Sequence, residues 1–183
     1  PRDLSLTPDN YSGGRLAIEH LLACGRRRIA HISGDPSYAA AQDRLAGARA
    51  ALAAAGLDFV GEPMFAAWNE HWGRDAAAIL LERHPEVDAV FCGSDQIARG
   101  VLDTARDFGR DVPGDLAVIG YDDWELLTEN ARPPLTSINA NLQQLGRQAA
   151  QRVFDAIDGV DVGAGTHPMP VKLVIRASTI ARR

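Results

Sequence analysis

Four short, continuously apolar runs, separated by helical patterns, constrain the fold of this chain most strongly. The runs lie at residues 28–33, 63–67, 89–92 and 116–121. Helical spacing of apolar residues precedes the first run at 10–24 and separates the others at 42–55, 73–83 and 96–108. Short buried strands that alternate with helices pair in parallel, because parallel strands need a crossover connection. The pattern predicts an α/β fold with a doubly wound parallel sheet.

The alternation breaks after residue 121. A strand pattern at 135–138 and a long amphipathic helix at 142–158 follow a Pro-Pro pair, and a Gly-rich turn at 159–165 precedes a final strand at 171–176. We expect the chain to cross here into another layer. The helix at 10–24 and the first strand also precede any strand they could obviously pair with, so we expect part of a larger fold.

Charge and composition exclude several classes of protein. The formal net charge is −5, and Arg26, Arg27 and Arg28 form the only dense basic run, so this chain offers no electropositive face for nucleic acid. No stretch reaches the roughly 18 apolar residues of a membrane helix. Cys24 and Cys92 both lie in apolar surroundings, which favours reduced core thiols and a cytoplasmic protein.

The residues that follow the strands are candidates for a binding site, because ligands of open α/β sheets lie at the carboxyl ends of the strands. The segments are Gly34 to Tyr38 with Asp35, Trp68-Asn69, Gly93 to Gln96 with Ser94 and Asp95, and Tyr121 to Trp124 with Asp122. They contain aromatic residues, carboxylates and small hydroxyl residues. This combination fits carbohydrate binding, since aromatic faces pack on sugar C–H surfaces and carboxylates accept hydroxyl hydrogen bonds.

Several of these residues allow two interpretations. Arg44 in the first turn of its helix is either a solvated side chain or a ligand clamp, since a cation there opposes the helix dipole. Trp68 is either a core aromatic or part of the site, and its position between a strand and a helix favours the site. Trp72 and Trp124 fit packing or an interface better.

The sequence contains little that supports a catalytic function. Asp122 and Asp123 could form an acid/base pair or hold a metal, but neighbouring residues of an extended strand point in opposite directions. The sequence has no dinucleotide-binding glycine motif, phosphate loop or nucleophile elbow, and no histidine has a triad partner at a recognisable spacing. We therefore expect no enzyme activity, no metal and no cofactor.

Seven ordered segments together span nearly the whole chain. They are DNYSGGRLAIEHL at 9–21, GRRRIAHISG at 25–34, DRLAG at 43–47, AVFCGSDQIARG at 89–100, DVPGDLAVIGYDD at 111–123, RPPLTSI at 132–138 and VIRAST at 174–179. In this order they resemble the LacI family of bacterial transcription regulators.

The resemblance implies a periplasmic-binding-protein-like core of type I, with two α/β lobes joined by three crossovers. Under it we expect a complete carboxyl-terminal lobe and part of the amino-terminal lobe. Residues 1–34 would belong to the amino-terminal lobe, 35–133 would form the carboxyl-terminal lobe, 134–170 would return to the first lobe, and 171–183 would hold the last crossing strand and the tail.

The resemblance also implies site roles. Arg44 would clamp the effector, Trp68 would stack on it, and Asp122 would close on it. Ser94 stands where the family commonly has asparagine, and Ala140 stands where some sugar-responsive members have a polar contact, so the effector would differ from a simple galactoside.

The function implied is an effector-sensing domain of a homodimeric repressor. A sugar or sugar derivative would bind between the lobes and control operator binding allosterically, and DNA would be contacted only through an amino-terminal headpiece that this chain lacks. The alternative is a solute-binding protein of a sugar transporter, which has the same fold.

Overall fold

The computed structural model describes residues 3–180, which form eight strands and six helices. The strands are β1 Leu4–Pro8, β2 Ile29–Ser33, β3 Met64–Phe65, β4 Ala89–Cys92, β5 Ala117–Asp122, β6 Thr136–Asn139, β7 Gly165–Met169 and β8 Lys172–Val174. The helices are α1 Asn10–Ala23, α2 Ala39–Ala54, α3 Glu70–Arg83, α4 Asp95–Asp107, α5 Glu125–Thr128 and α6 Leu142–Ile157. Within this part of the chain, no helix has the length and apolar character needed to cross a membrane.

A six-stranded sheet in the order β3-β2-β4-β5-β6-β8 forms the centre of the molecule. Its strands are parallel except β8, which pairs antiparallel with β6. Side chains alternate across β4, so Phe91 packs with α1 and α2 while Val90 packs with α3 and α4. Helices therefore cover both faces, which confirms the predicted doubly wound α/β fold.

A second, smaller unit consists of β1 paired in parallel with β7, with α6 beside β1. The backbone N–H of Asp9 extends this pairing by donating to the carbonyl of Met169 at 2.8 Å. The chain passes between the two units three times: between β1 and α1, between β6 and α6, and between β7 and β8. The candidate site described below lies close to the first two of these connections.

The domain boundaries expected at residues 34 and 134 are corrected by the structure. Strand β2 lies between β3 and β4 in the six-stranded sheet, and α1 packs on the same sheet, so this unit begins near Asp9. Strand β6 also belongs to it, because it hydrogen-bonds along β5, so the return to the small unit begins only after Asn139. The partners of β2 follow it in the sequence, which made that strand look unpaired. Neither β1 nor β7 was predicted.

Helices α1 and α2 approach each other at a glycine. A Cβ atom placed on Gly14 would lie 2.0 Å from the backbone oxygen of Arg44, far inside contact distance. Any larger residue would therefore push the two helix backbones apart. This close contact fixes the position of Arg44 against α1 and thereby prepares the site.

Candidate functional site

The candidate site lies at the carboxyl ends of β2, β4 and β5, where the structure brings together the loops at 34–38, 93–95 and 122–124. Helix α2 adds Arg44 beneath these loops. Parallel strands place their carboxyl ends at one edge of a sheet, so residues that are distant in the sequence meet there. Four of the predicted residues, Arg44, Asp122, Trp68 and Tyr38, form a continuous group through ion-pair, cation–π and edge-to-face contacts.

Arg44 is buried, with 7% of its surface exposed, and it is held on every side. Its Nε donates to Oδ1 of Asn10 at 2.9 Å and its Nη1 donates to the carbonyl of Gly93 at 2.5 Å. Its Nη2 lies 3.5 Å from Oδ1 of Asp122, and the guanidinium stacks 3.6 Å from the ring centre of Tyr121. Arg44 is therefore a fixed group of the site and not a solvated side chain.

Asp122 ends β5 in a left-handed conformation, with a φ of 103°. Its side chain is 24% exposed and is the accessible partner of the buried Arg44. Burial raises the pKa of the Asp122 carboxyl to about 6, and the nearby Arg44 guanidinium opposes this rise. Above that pH the two side chains form a pair with no net charge.

Trp68 lies against the backbone that leaves β2. A Cβ atom on Gly34 would lie 1.9 Å from ring carbon Cδ2, so only glycine allows the indole to pack flat on this loop. The Trp68 ring meets Tyr38 edge-to-face at 6.2 Å and lies 5.9 Å from the guanidinium of Arg44. Tyr38 itself is 58% exposed. Together the two aromatic side chains form one wall of the site.

Asp35, Ser94 and Asp95 have roles in shaping the loops. Asp35 accepts a hydrogen bond from the backbone N–H of Ser37 at 2.8 Å, which keeps the pKa of the Asp35 carboxyl below its usual value. Ser94 is the N-cap of α4, because its Oγ accepts from the backbone N–H of Ile97. Ser94 and Asp95 are both buried, so they support the site from below.

Asp95 holds the loop that carries Asp122. It is 1% exposed, and it accepts hydrogen bonds from Oγ of Ser137 at 2.6 Å and from the backbone N–H of Trp124 at 2.8 Å. Burial raises the pKa of the Asp95 carboxyl to about 7, while these two hydrogen bonds oppose the rise. The Asp95 carboxyl therefore titrates close to neutral pH.

The pKa of Asp95 predicts a pH-dependent stability. Because the folded carboxyl binds its proton more tightly than the unfolded one, its contribution to the free energy of unfolding falls as the pH rises from about 4 to about 7. Asparagine does not titrate, so Asp95→Asn removes this pH-dependent decrease in the free energy of unfolding. The free energy of unfolding of the variant relative to the wild type should rise by about 2 kcal/mol between pH 5 and pH 7.

Urea unfolding at pH 5, 6 and 7 measures this difference. Buried His31, whose pKa burial lowers to about 4, contributes with the opposite sign but equally in both proteins, so it cancels. Asp107→Asn, at an exposed position of the same helix, is the control and should show no such trend. A constant difference for Asp95→Asn across this range would contradict the prediction.

Sequence reasoning missed several residues that hold the site. Asn10 accepts from Arg44, and Asn139 and Arg176 both hold Asp123. Asn10 starts a helix and Asn139 ends a strand, so each has an ordinary local role that hides its long-range contact. Among residues 3–180, no group of three or more His, Cys, Asp or Glu side chains is arranged to hold a metal ion.

In this α/β domain a buried arginine, a carboxylate and an aromatic wall converge at the carboxyl edge of a parallel sheet. The sequence profile of the periplasmic binding protein-like domain matches residues 18–179.

Two curated relatives are HTH-type transcriptional regulators. CelR of Thermobifida fusca is 39% identical over 95% of this chain, and CytR of Escherichia coli K12 is 35% identical over 94% of it. The chain spans about half the length of each, 49% and 51%.

Solved structures show the same relationship. A CelR–cellobiose complex matches 97% of this chain and 54% of its own chain, with a TM-score of 0.89 and 38% identity. A lac repressor dimer bound to operator and the anti-inducer ONPF has a TM-score of 0.90 at 29% identity, again over 97% of this chain and 56% of its own. This chain belongs to the periplasmic binding protein-like domain family, in the form found in LacI-type transcriptional regulators.

Proposed function

We propose that this chain is the effector-sensing domain of a transcription regulator and binds a neutral sugar at the site formed by Arg44, Asp122, Trp68 and Tyr38. The observation that carries the proposal is the buried Arg44, held rigidly beside a partly exposed carboxylate and an aromatic wall. Such a site offers hydrogen bonds in fixed directions next to a flat apolar surface. Pyranose rings present the complementary surface of hydroxyl groups and C–H bonds.

The hydrogen-bonding capacity of the site suits a polyol. A guanidinium carries five N–H donors, and the contacts of Arg44 with Asn10, Gly93 and Asp122 leave donors on the Nη atoms free for a ligand. The Asp122 carboxylate accepts from hydroxyl groups. A donor and an acceptor side by side match a pair of neighbouring hydroxyls, each of which can both accept and donate.

The charge of the site favours a neutral ligand over an anionic one. The positive charge of Arg44 is matched by Asp122, and that of Arg176 is matched by Asp123 at 2.7 Å. A carboxylate or phosphate on the ligand would meet Asp122 and a cation that is already paired, so its desolvation would be poorly compensated. The relative crystallised with cellobiose, a neutral disaccharide, supports this choice.

The regulatory part of the proposal follows from the relatives. We propose a cytoplasmic homodimer in which sugar binding changes the orientation of the two lobes and thereby the fit to operator DNA. The operator would be contacted through an amino-terminal headpiece that does not belong to these 183 residues. The relatives are named as transcriptional regulators, which favours this role over solute transport.

A thermal-shift series tests the proposal. The panel contains cellobiose, glucose and galactose as neutral sugars, cellobionate and glucose 6-phosphate as anionic analogues, and adenosine as a non-carbohydrate. We expect a dose-dependent rise in Tm with a neutral sugar, since a ligand that binds only the folded state stabilises it by RT ln(1 + [L]/Kd). Stronger stabilisation by an anionic analogue, or by adenosine alone, would overturn the assignment of a neutral sugar.

Trp68→Leu tests the aromatic wall. Leucine keeps an apolar side chain but removes the flat ring, so the affinity for the responding sugar should fall about fivefold, as expected for the loss of one aromatic contact worth about 1 kcal/mol. Trp124→Leu is the matched control, because the Trp124 side chain is largely exposed at 49% and its hydrogen bonds come from the backbone. Calorimetric titration of the two variants measures their affinities for the sugar. Equal affinities of Trp68→Leu and Trp124→Leu would show that Trp68 is not part of the site.

A further inference from the structure

We infer that Asp123 is a positioning residue that couples the loop after β5 to the β6–α6 connection and to the segment that follows β8. This inference rests on the proposed function, because it concerns the regulation of the same site. Asp123 is not part of the contact group formed by Arg44, Asp122, Trp68 and Tyr38. Its carboxylate instead joins the end of β6 to the segment that follows β8.

Each oxygen of the Asp123 carboxylate has one donor. Oδ1 accepts from Nη1 of Arg176 at 2.7 Å and Oδ2 accepts from Nδ2 of Asn139 at 2.7 Å, while the backbone N–H of Asp123 donates to Oγ of Ser137 at 3.2 Å. The side chains of Asp123 and Arg176 are 9% and 16% exposed. This pair is therefore largely removed from solvent, and the loss of either partner leaves a poorly hydrated charge.

The contact with Asn139 continues into the smaller unit. Oδ1 of Asn139 accepts from the backbone N–H of Asn141 at 2.7 Å, which orients the amide so that Nδ2 faces Asp123. Asn141 has a left-handed φ of 53° and precedes α6 directly. One continuous series of hydrogen bonds thus runs from Asp123 across the β6–α6 connection.

The contact with Arg176 holds the segment that follows β8. Nη1 of Arg176 also donates to the carbonyl of Leu135 at 3.0 Å, and the backbone N–H of Arg176 donates to Oγ1 of Thr136 at 2.9 Å. The segment that leaves β8 is therefore tied both to β6 and to the loop after β5. A shift of Asp123 must move this segment or break a buried ion pair.

The backbone conformation at residues 122 and 123 transmits motion from Asp122 to Asp123. Asp122 and Asp123 are consecutive residues with positive φ angles, 103° and 59°, a conformation with little freedom for residues that carry a Cβ. A ligand that pulls on the Asp122 carboxylate therefore changes the position of Asp123. In this way occupancy of the site reaches the β6–α6 connection and the segment that follows β8.

A double-mutant cycle measured by amide hydrogen exchange tests the coupling. The proteins are the wild-type chain, Asp122→Asn, Asp123→Asn and the double variant, since asparagine tolerates left-handed φ angles. The readouts are the exchange rates of the amides of Asn141 and Ser178. The perturbation is applied twice, once as Asp122→Asn and once as saturating cellobiose on the wild type and on Asp123→Asn.

We expect Asp122→Asn to change exchange at Asn141 and Ser178 by roughly tenfold in the wild-type background and by less than about twofold when Asp123 is already asparagine. Cellobiose should likewise protect these amides only when Asp123 is present. Additive effects of the two substitutions would overturn the inference. A wild type that binds none of cellobiose, glucose and galactose argues against the proposed function, and the ligand-free cycle still decides the coupling.

Asn139→Leu provides a second variant in case Asp123→Asn does not fold. It removes the link to Asn141 but leaves the ion pair of Asp123 with Arg176, so transmission should be lost at Asn141 and kept at Ser178. Asp107→Asn, at an exposed position of α4, is the control and should leave both responses as in the wild type. Equal transmission at Asn141 in Asn139→Leu would contradict the proposed route.

Discussion

Arg44→Lys is expected to reduce the affinity for sugar by at least about 100-fold. A lysine ammonium keeps the charge, but it cannot reproduce three separate contacts with Asn10, Gly93 and Asp122 or the stack on Tyr121. The affinity falls because the ligand loses directional hydrogen bonds to a charged donor, which contribute about 1.5 to 3 kcal/mol each. Calorimetric titration with the sugar found in the thermal-shift series measures the loss.

Arg49→Lys is the matched control for this change. Arg49 lies on the same helix, but it is exposed, so the same substitution there should leave the affinity within about twofold. Near-normal binding by Arg44→Lys would show that a positive charge alone suffices, and the account of a rigid, directional donor would then be wrong.

Gly14→Ala is expected to destabilise the fold by about 3 kcal/mol. The added methyl group would meet the backbone oxygen of Arg44 at 2.0 Å, and neither helix backbone can yield as a flexible side chain would. The free energy of unfolding from urea denaturation measures this effect. Because the strain falls on Arg44 itself, sugar binding should weaken in the same variant.

Gly146→Ala is the matched control, since it is the same substitution in another helix. A Cβ atom at Gly146 of α6 meets no other atom within 4 Å, so only the higher helix propensity of alanine acts there. That variant should gain about 0.5 to 1 kcal/mol. Equal stabilities for the two variants would show that α1 and α2 separate without cost.

The sheet was predictable where strands are short and wholly apolar. The runs at 89–92 and 116–121 are central strands in the structure, because burial on both faces requires apolar residues at every position. Strands β1 and β7 escaped prediction, since Leu4–Pro8 and Gly165–Met169 contain prolines and polar residues and only one of their residues, Met169, is buried. A two-stranded sheet with little buried surface needs few apolar residues, so its strands show only a weak apolar pattern in the sequence.

The site was predictable in part for a similar reason. The position after each strand identifies Asp122 and the loop that follows Gly34, because topology alone brings such positions together. The partners of Arg44 and Asp123 come from residues 34 and 53 positions away in the sequence, as for Asn10 and Arg176. Contacts at such separations have no local pattern, so only the folded structure shows them.

Ser94 and Asp95 have structural roles that the sequence did not predict. Ser94 caps α4, and Asp95 holds the loop backbone at Trp124. A capping serine and a ligand-contacting serine occupy the same place in the sequence, so the ligand contact of these two residues stays a prediction.

The most direct test of the sugar-binding site is a titration followed through the indole N–H signals of the three tryptophans, in protein labelled with ¹⁵N at tryptophan. The account predicts that the signal of Trp68 shifts in proportion to bound sugar. The signals of Trp72, whose Nε1 donates to the carbonyl of Ser33 at 2.9 Å, and of exposed Trp124 should each shift less than that of Trp68. A saturating sugar that moves Trp124 or Trp72 but leaves Trp68 unchanged would contradict it.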